Sequence, residues 1–472
     1  MMNLSNKSLN SINRLKKIEN ESAYLKDKGL YNPQHEHDSC GVGLIAAING
    51  QPCREVVDAG ITALKAVWHR GAVDADGKTG DGAGIHVEIS QKFFKSHIGK
   101  TGHSPNNLNL AVGMVFLPKT DLGGQETCRS IVESEILRFG HGIYGWRQVP
   151  IDSSVIGEKA NASRPEIEQI IIANETGVTN DQFENDLYII RRRIENKVLS
   201  RHITDFYICS LSCRSIIYKG MFLAEQLAAF YPDLNDISFE SSFAVIHQRY
   251  STNTFPTWRL AQPFRVVAHN GEINTIKGNT NWVLSHETRA SSDIFGVNNE
   301  DIFPLVEPGA SDSMALDAVL EALVRAGRPL PAAQCLMMPD SWSKKPHVPQ
   351  HLQNLYSYCN CVMEPWDGPA AVAAADGIWA VAGMDRNGLR PMRYTITDNG
   401  LLVVGSETGM LHIDEETVLS KGRLGPGEMI GVNLREGKIH YNTELKNWLS
   451  ERSPYEKWAK NIVQLGQFIK GD

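Results

Sequence analysis

The stretch "HEHDSCGVGLIAAING", residues 35–50, is charged and loop-like up to Ser39 and apolar from Val42 to Ile48. One cysteine, Cys40, stands on that boundary, followed by glycines at 41 and 43. The run after it suits the interior of a sheet, because a short continuous apolar segment reads as a buried strand. A cysteine at this place has two readings. It is an inert small hydrophobe where a strand begins, or it is the residue at which the working chain starts, with Gly41 and Gly43 leaving room around it.

Working outward, the bulk composition narrows the choices. A chain of 472 residues exceeds what one hydrophobic core usually serves. With 42% hydrophobic and 21% charged residues it has the balance of a globular protein. A net charge of −7 leaves no basic surplus to neutralise phosphates, which argues against a nucleic-acid partner. No apolar run approaches the roughly 18 residues of a membrane span. Eight cysteines in so long a chain are no disulfide framework, and a reducing, cytoplasmic setting is expected. Residues 1–39 are rich in Asn, Ser and Lys and lack the apolar core of a secretory signal. They read as a leader or propeptide removed on maturation. The acid-free start before Glu19 resembles a transit peptide, with a plastid location as the alternative, but Glu19, Glu21, Asp27, Glu36 and Asp38 break that pattern.

Further along, "CREVVDAGITALKAVWHRG" carries Val57, Ile61, Leu64 and Trp68 at helical spacing, with Gly71 placed as a C-terminal cap. Ile85, Val87 and Ile89 alternate as on a half-buried strand, and "LNLAVGMVFLP" reads as another. Residues 121–200 are expected to be a mixed helical insertion whose basic run "RRR" is a solvated helix face. "DFYICSLSCRSIIYKG" and "SSFAVIHQRYSTNT" return to strands. "SDSMALDAVLEALVRAG" is a helix with Asp312 at its start and Gly327 at its close. Asp376-Gly377 and Asn399-Gly400, each between apolar runs, predict two hairpins, and "GEMIGVNLREGKIHY" a further pair. Antiparallel strands this apolar need cover on both sides. An α+β, four-layer α/β/β/α sandwich of antiparallel sheets is the expected architecture, occupying residues 40–440, with 441–472 a helical linker.

Two binding chemistries are disfavoured. Zinc sites show paired ligands such as Cys-x2-Cys with a second pair downstream. Here His35, His37 and Cys40 have no such companion, Cys209 and Cys213 fall in an apolar strand, and Cys359 and Cys361 suit alternate positions on a strand. The glycine-rich "TGDGAGIHVEIS" runs into a strand, so no helix N-terminus follows to cradle a phosphate.

The segments "CGVGLIAA", "HRGAVDADGKTGDGAGI", "QRYSTNTFPTWRLAQPFR", "HNGEINT", "SDS" and "EPWDGPAAVAAADG…DRNGLRPMRY" together resemble the class II glutamine amidotransferase domain that opens the large subunits of the glutamate synthase family. The resemblance runs in order from about residue 24 to 440. It implies the N-terminal-nucleophile hydrolase fold and hydrolysis of L-glutamine to L-glutamate and ammonia through a cysteinyl thioester. That chemistry fits the second reading of Cys40. A cysteine at a chain start carries a free α-amine of pKa about 7.7–8.0, which can serve as its own general base. While Ser39 remains attached, that nitrogen is an amide and takes no proton.

By the same resemblance Cys40 is the nucleophile, and the Asn270 side chain with the Gly271 backbone N–H forms the oxyanion hole. A plain Asn-Gly turn is the alternative for "HNGE". Arg249 would grip the substrate α-carboxylate, for which a planar fork suits bidentate contact; a structural salt bridge is its alternative. Asp312 would hold the α-ammonium, or merely cap its helix. Arg70 would buttress the nucleophile end among the substrate-binding residues. His247 alternates with Arg249, so both should face one way, its role left open. The resemblance further implies FMN and an iron–sulfur cluster in a region beyond these residues, none within them. There ammonia would pass to 2-oxoglutarate in the chain's own synthase domain, with a small electron-donating subunit or ferredoxin as partner. Two other readings stand beside it: a class II amidotransferase with another acceptor, and a non-catalytic docking module that kept the fold.

Overall fold

The computed structural model describes residues 40–100, 102–250, 254–343 and 347–463; the leader expected at 1–39 and the end of the expected linker, 464–472, lie outside them. Sixteen strands occur among the described residues: β1 (Gly41–Ala47), β2 (Ala83–Glu88), β3 (Ala111–Leu117), β4 (Gly142–Gln148), β5 (Glu166–Ala173), β6 (Tyr207–Ser212), β7 (Ser215–Gly220), β8 (Phe243–Gln248), β9 (Val267–Gly271), β10 (Ala370–Ala375), β11 (Trp379–Met384), β12 (Arg393–Thr397), β13 (Leu401–Gly405), β14 (Val418–Arg423), β15 (Met429–Asn433) and β16 (Lys438–His440). Seven of them form a sheet in the order β14-β12-β13-β1-β8-β2-β7, so the strand that follows Cys40 is its middle one. Five more form the order β16-β15-β11-β10-β9. Every pairing in both sheets is antiparallel.

Alternation of side chains across each strand makes the two sheets a pair. Val42, Leu44, Phe243 and Val245 of the seven-stranded sheet pack on Ala268, Ala371, Ala373, Ala380 and Ala382 of the five-stranded one. The alanine row of "AVAAADG" is legible in this light, since small side chains let two sheet faces close on each other. The outer face of the larger sheet is covered by the helix Arg54–Ala66 through Val57, Ile61 and Leu64. The smaller sheet is covered by Asp312–Arg325, Leu330–Met337, Gln350–Val362 and Asn442–Glu451. The expected α/β/β/α sandwich is therefore present, and both Asp-Gly and Asn-Gly hairpins join paired strands.

Several local expectations are corrected. Residues 121–200 contain β4 and β5 as well as helices, and these join β3 and β6 in a third sheet, β4-β5-β3-β6. The basic run is not solvated: Arg191 and Arg192 are only 2% and 5% exposed. Arg191 reaches Glu195 at 2.8 Å and Glu321 at 2.6 Å, Arg192 reaches Glu195 at 2.5 Å, and Arg265 reaches Glu195 at 2.8 Å. Burying such charges requires partners, and Glu321 and Arg265 lie too far along the chain for local sequence to announce them. Trp68 is 56% exposed and opens a separate turn, Trp68–Arg70, after which Gly71 is extended instead of capping the helix. The strand Ala83–Glu88 is buried on both faces. Cys359 and Cys361 lie on the helix Gln350–Val362, not on a strand. The segment after Tyr441 is no free linker as far as it is described, since Leu445 and Leu449 of Asn442–Glu451 are buried in the core over the smaller sheet.

Candidate active site

Cys40 sits at the entry to β1 and is 7% exposed. The glycine after it leaves no free room: a Cβ at Gly41 would stand 2.7 Å from Val67 Cγ2, and one at Gly43 2.7 Å from Met410 Cε. Bare backbone here admits close packing behind the cysteine instead of space around it. Burial pushes the Cys40 thiol up to about 11; Arg249 and Arg390 oppose that rise, while Asp81 and Asp312 add to it. Four charged side chains, two of each sign, therefore act on the thiol.

Asn270 and Gly271 end β9, in the sheet opposite. The Asn270 Nδ2 donates to the Cys40 carbonyl at 2.7 Å, crossing between the sheets. A carboxamide nitrogen carries two N–H groups, so one remains after this bond. Asn270 Oδ1 is buried without a partner among the described residues. Gly271 has φ +138°, and a Cβ on it would lie 1.7 Å from the Pro369 carbonyl oxygen, so the position accepts glycine alone. "HNGE" is thus the end of a strand, not an exposed turn.

Asp312 is the first residue of its helix, and the cap is Ser311, whose Oγ accepts from Met314 N at 3.2 Å. That frees Asp312 from the capping reading. Its carboxylate instead accepts from Ile273 N at 3.0 Å and Ser313 N at 2.7 Å, tying the helix start to the segment just past Gly271.

Arg249 lies one residue beyond β8 with φ +110°, its N–H donating to the Gly82 carbonyl at 2.7 Å. The strand alternation expected of His247 and Arg249 therefore stops before Arg249. Its Nε lies 3.3 Å from the carboxylate of Asp81, itself 6% exposed. Arg70, in the turn Trp68–Arg70, pairs with Glu407, as does His69 at 2.9 Å. Burial would raise the Glu407 carboxyl, but these hydrogen bonds hold it below its ordinary value.

Sequence reasoning left His247 without a role and passed over several residues around it. His247 bridges the two sheets, with Nδ1 3.0 Å from the Arg249 carbonyl and Nε2 3.1 Å from the His269 carbonyl. Burial holds it down to about 4, so the ring is neutral near pH 7 and donates to one of the two carbonyls. Gln262 grips the His269 backbone from the other side, accepting from its N–H at 2.9 Å and donating to its carbonyl at 3.3 Å. His269 Nδ1 meets Ser313 Oγ at 3.0 Å. Asn270 is thus held through its neighbour. Asp81, Gln262, His269, Ser313 and Arg390 all fall inside the motifs quoted from the sequence, where none of them was given a role.

A family model of the class II glutamine amidotransferases matches residues 40–458. The chain is 62% identical over 449 residues to a glutamate synthase [NADPH] large chain of Azospirillum brasilense, covering 95% of this chain and 30% of that protein. It is 39% identical to the corresponding large chain of Bacillus subtilis and 41% identical to a ferredoxin-dependent glutamate synthase of Synechocystis, covering 29% and 27% of those proteins. The chain therefore spans about three-tenths of the length of the relatives it matches. Among solved structures, an allosteric regulatory enzyme of purine biosynthesis superposes at TM-score 0.38 with 14% identity, over 85% of this chain and 49% of that one, too loosely to carry an argument.

Proposed function

The chain belongs to the class II glutamine amidotransferases, and from that premise we propose that it is the glutaminase portion of a glutamate synthase. In this reading L-glutamine is hydrolysed to L-glutamate and ammonia at Cys40. The observation that carries it is the 2.7 Å bond from Asn270 Nδ2 to the Cys40 carbonyl, which sets a spare N–H donor beside the sulfur-bearing residue.

The steps follow from the groups at hand. A thiol pushed up to about 11 is protonated near neutral pH and needs a base. The α-amine of Cys40, freed when the bond to Ser39 is cut, takes that proton as sulfur attacks the amide carbon, then delivers it to the departing ammonia. The remaining N–H of Asn270 and the N–H of Gly271 stabilise the oxyanion. Water then hydrolyses the thioester. Arg249 is proposed to hold the substrate carboxylate and Asp312 its α-ammonium, with Arg70 a buttress paired to Glu407. The start of the family match at residue 40 supports a leader ending at Ser39.

In the longer protein the ammonia is proposed to pass to 2-oxoglutarate in the synthase domain of the same chain, electrons coming from a small subunit or ferredoxin. FMN and an iron–sulfur cluster belong to that region in this reading. The residues here do not fit a cluster, since among those described no three His, Cys, Asp or Glu side chains gather to hold a metal. A cytoplasmic location is part of the proposal; no described helix is long and apolar enough to cross a membrane. The test is covalent. A glutamine-mimicking diazo-ketone should label Cys40, and Cys40→Ala should abolish glutamine-dependent ammonia release. Labelling at Cys53 or Cys209 with Cys40 untouched would contradict the assignment.

A further inference from the structure

One buried carboxylate outside the residues already placed around Cys40 is aimed at the root of the strand that carries Asn270. β9 is the last strand of its sheet and, among the described strands, pairs with β10 alone. Antiparallel pairing turns the backbone groups of successive residues alternately toward the partner strand and away from it. The Val266 carbonyl accepts from Ala375 N at 2.9 Å and Glu272 N donates to the Pro369 carbonyl at 3.1 Å. Even-numbered residues therefore spend their backbone groups on β10, and Val267, His269 and Gly271 turn theirs to the outer edge. Buried groups on such an edge need partners. Val267 N donates to Asp317 Oδ1 at 3.0 Å, and its carbonyl accepts from Phe264 N at 2.9 Å. Gln262 serves His269 in the same way, and Gly271 comes next along that edge.

Asp317 takes more than one of these groups. Its Oδ1 also accepts from Val266 N at 2.8 Å, and its Oδ2 accepts from Arg265 N at 3.2 Å. Three consecutive N–H groups thus converge on one fully buried carboxylate. Successive N–H groups in a turn make a concavity that suits an anion, and a carboxylate has acceptor sites for all three. An ion pair with Arg265 would be the plainer explanation. The Arg265 guanidinium instead reaches Glu195 at 2.8 Å and the Ile208 carbonyl at 2.9 Å. Asp317 stands one helical turn after Ser313 on Asp312–Arg325, so the two share a face. Ser313 meets His269 and Asp312 holds Ile273 N, so one helix grips the strand before, beside and after the Asn270–Gly271 pair.

We propose that Asp317 is a positioning residue for the oxyanion donors. By anchoring Arg265, Val266 and Val267 it fixes where β9 starts, and with it where the Asn270 side chain and the Gly271 N–H are held. Asp317 itself touches no substrate. The inference rests on the glutaminase reading given above. A misplacement of about 1 Å at such donors costs on the order of 10²-fold in rate.

Two substitutions test it. Asp317→Ala removes all three acceptors, whereas Asp317→Asn keeps Oδ1 for Val266 and Val267 and sets an N–H group against Arg265 N. Ammonia release from glutamine is measured per Cys40 labelled to completion by the diazo-ketone, which counts folded, competent sites. Turnover per site should fall by about 10²-fold in Asp317→Ala and by less in Asp317→Asn, with KM for glutamine nearly unchanged. A purely structural role lowers the number of sites and leaves turnover per site alone. That result, in whichever variant folds, would overturn the proposal, as would a change confined to KM. A second arm needs no turnover. In the chain carrying Cys40→Ser, adding Asp317→Asn should speed hydrogen exchange at amides 269–271 as well as 265–267. Faster exchange limited to 265–267 would overturn the proposal even where the parent chain releases ammonia. A parent chain that releases none, while exchange spreads to 269–271, would overturn the glutaminase reading and support the anchoring.

Discussion

In the proposed reaction the Cys40 thiol, pushed up to about 11, starts protonated, so the weight falls on the groups that would meet the developing charge. Asn270 is the one whose placement is fixed from two sides, by its bond to the Cys40 carbonyl and by the His247 and Gln262 contacts to its neighbour His269. Asn270→Ala should lower kcat by about 10²–10³, the usual loss for one such donor, with KM nearly unchanged. Steady-state ammonia release separates the two, and a change confined to KM would make Asn270 a substrate binder. Arg249 shows why residue roles were only partly legible. Its side chain was picked out by motif, but the direction it takes depends on φ +110° and on Gly82 and Asp81, far away in sequence.

Among elements, the helix beginning at Asp312 divides labour that the sequence seemed to put on one residue. Ser311 caps it, so Ser311→Ala should cost about 1 kcal/mol of stability and leave the glutamine KM alone. Asp312→Asn keeps an acceptor for Ile273 N and should instead raise KM for glutamine more than for an analogue lacking the α-amine. Chemical denaturation and kinetics on both variants distinguish these outcomes, and equal KM losses for the two substrates would return Asp312 to a structural role. Helix 180–200 carries a second prediction. Burial raises the Glu195 carboxyl, but Arg191, Arg265 and Arg192 outweigh it and hold the group down to about 2. Its folded value lies below the unfolded one of about 4.3, so the unfolded chain binds the proton first. The stabilisation is whole above about pH 4.3 and is lost as pH falls through about 2. Urea midpoints across that window should fall in the native chain, and the part due to Glu195 should vanish in Glu195→Gln. Hairpins at Asp376-Gly377 and Asn399-Gly400 were readable because turn chemistry is local. The buried arginines and the third sheet were not, because their partners arrive from other parts of the chain.

For the whole molecule, the sandwich places the cysteine and the Asn-Gly pair on facing sheets, and neither sheet alone makes the site. The layered architecture was legible from apolar strands and turn residues. That Asn442–Glu451 belongs to the core was not, since its buried Leu445 and Leu449 make a stripe like that of any amphipathic linker. The claim that unites these scales is that the catalytic base is the α-amine of Cys40. Intact mass and glutaminase turnover measured on the same preparation bear on it most directly. Turnover should appear only in the fraction whose mass shows residues 1–39 removed, with kcat/KM rising through about pH 7.7–8.0 as the amine loses its proton. Full turnover from a chain shown by mass to retain Ser39 would contradict it.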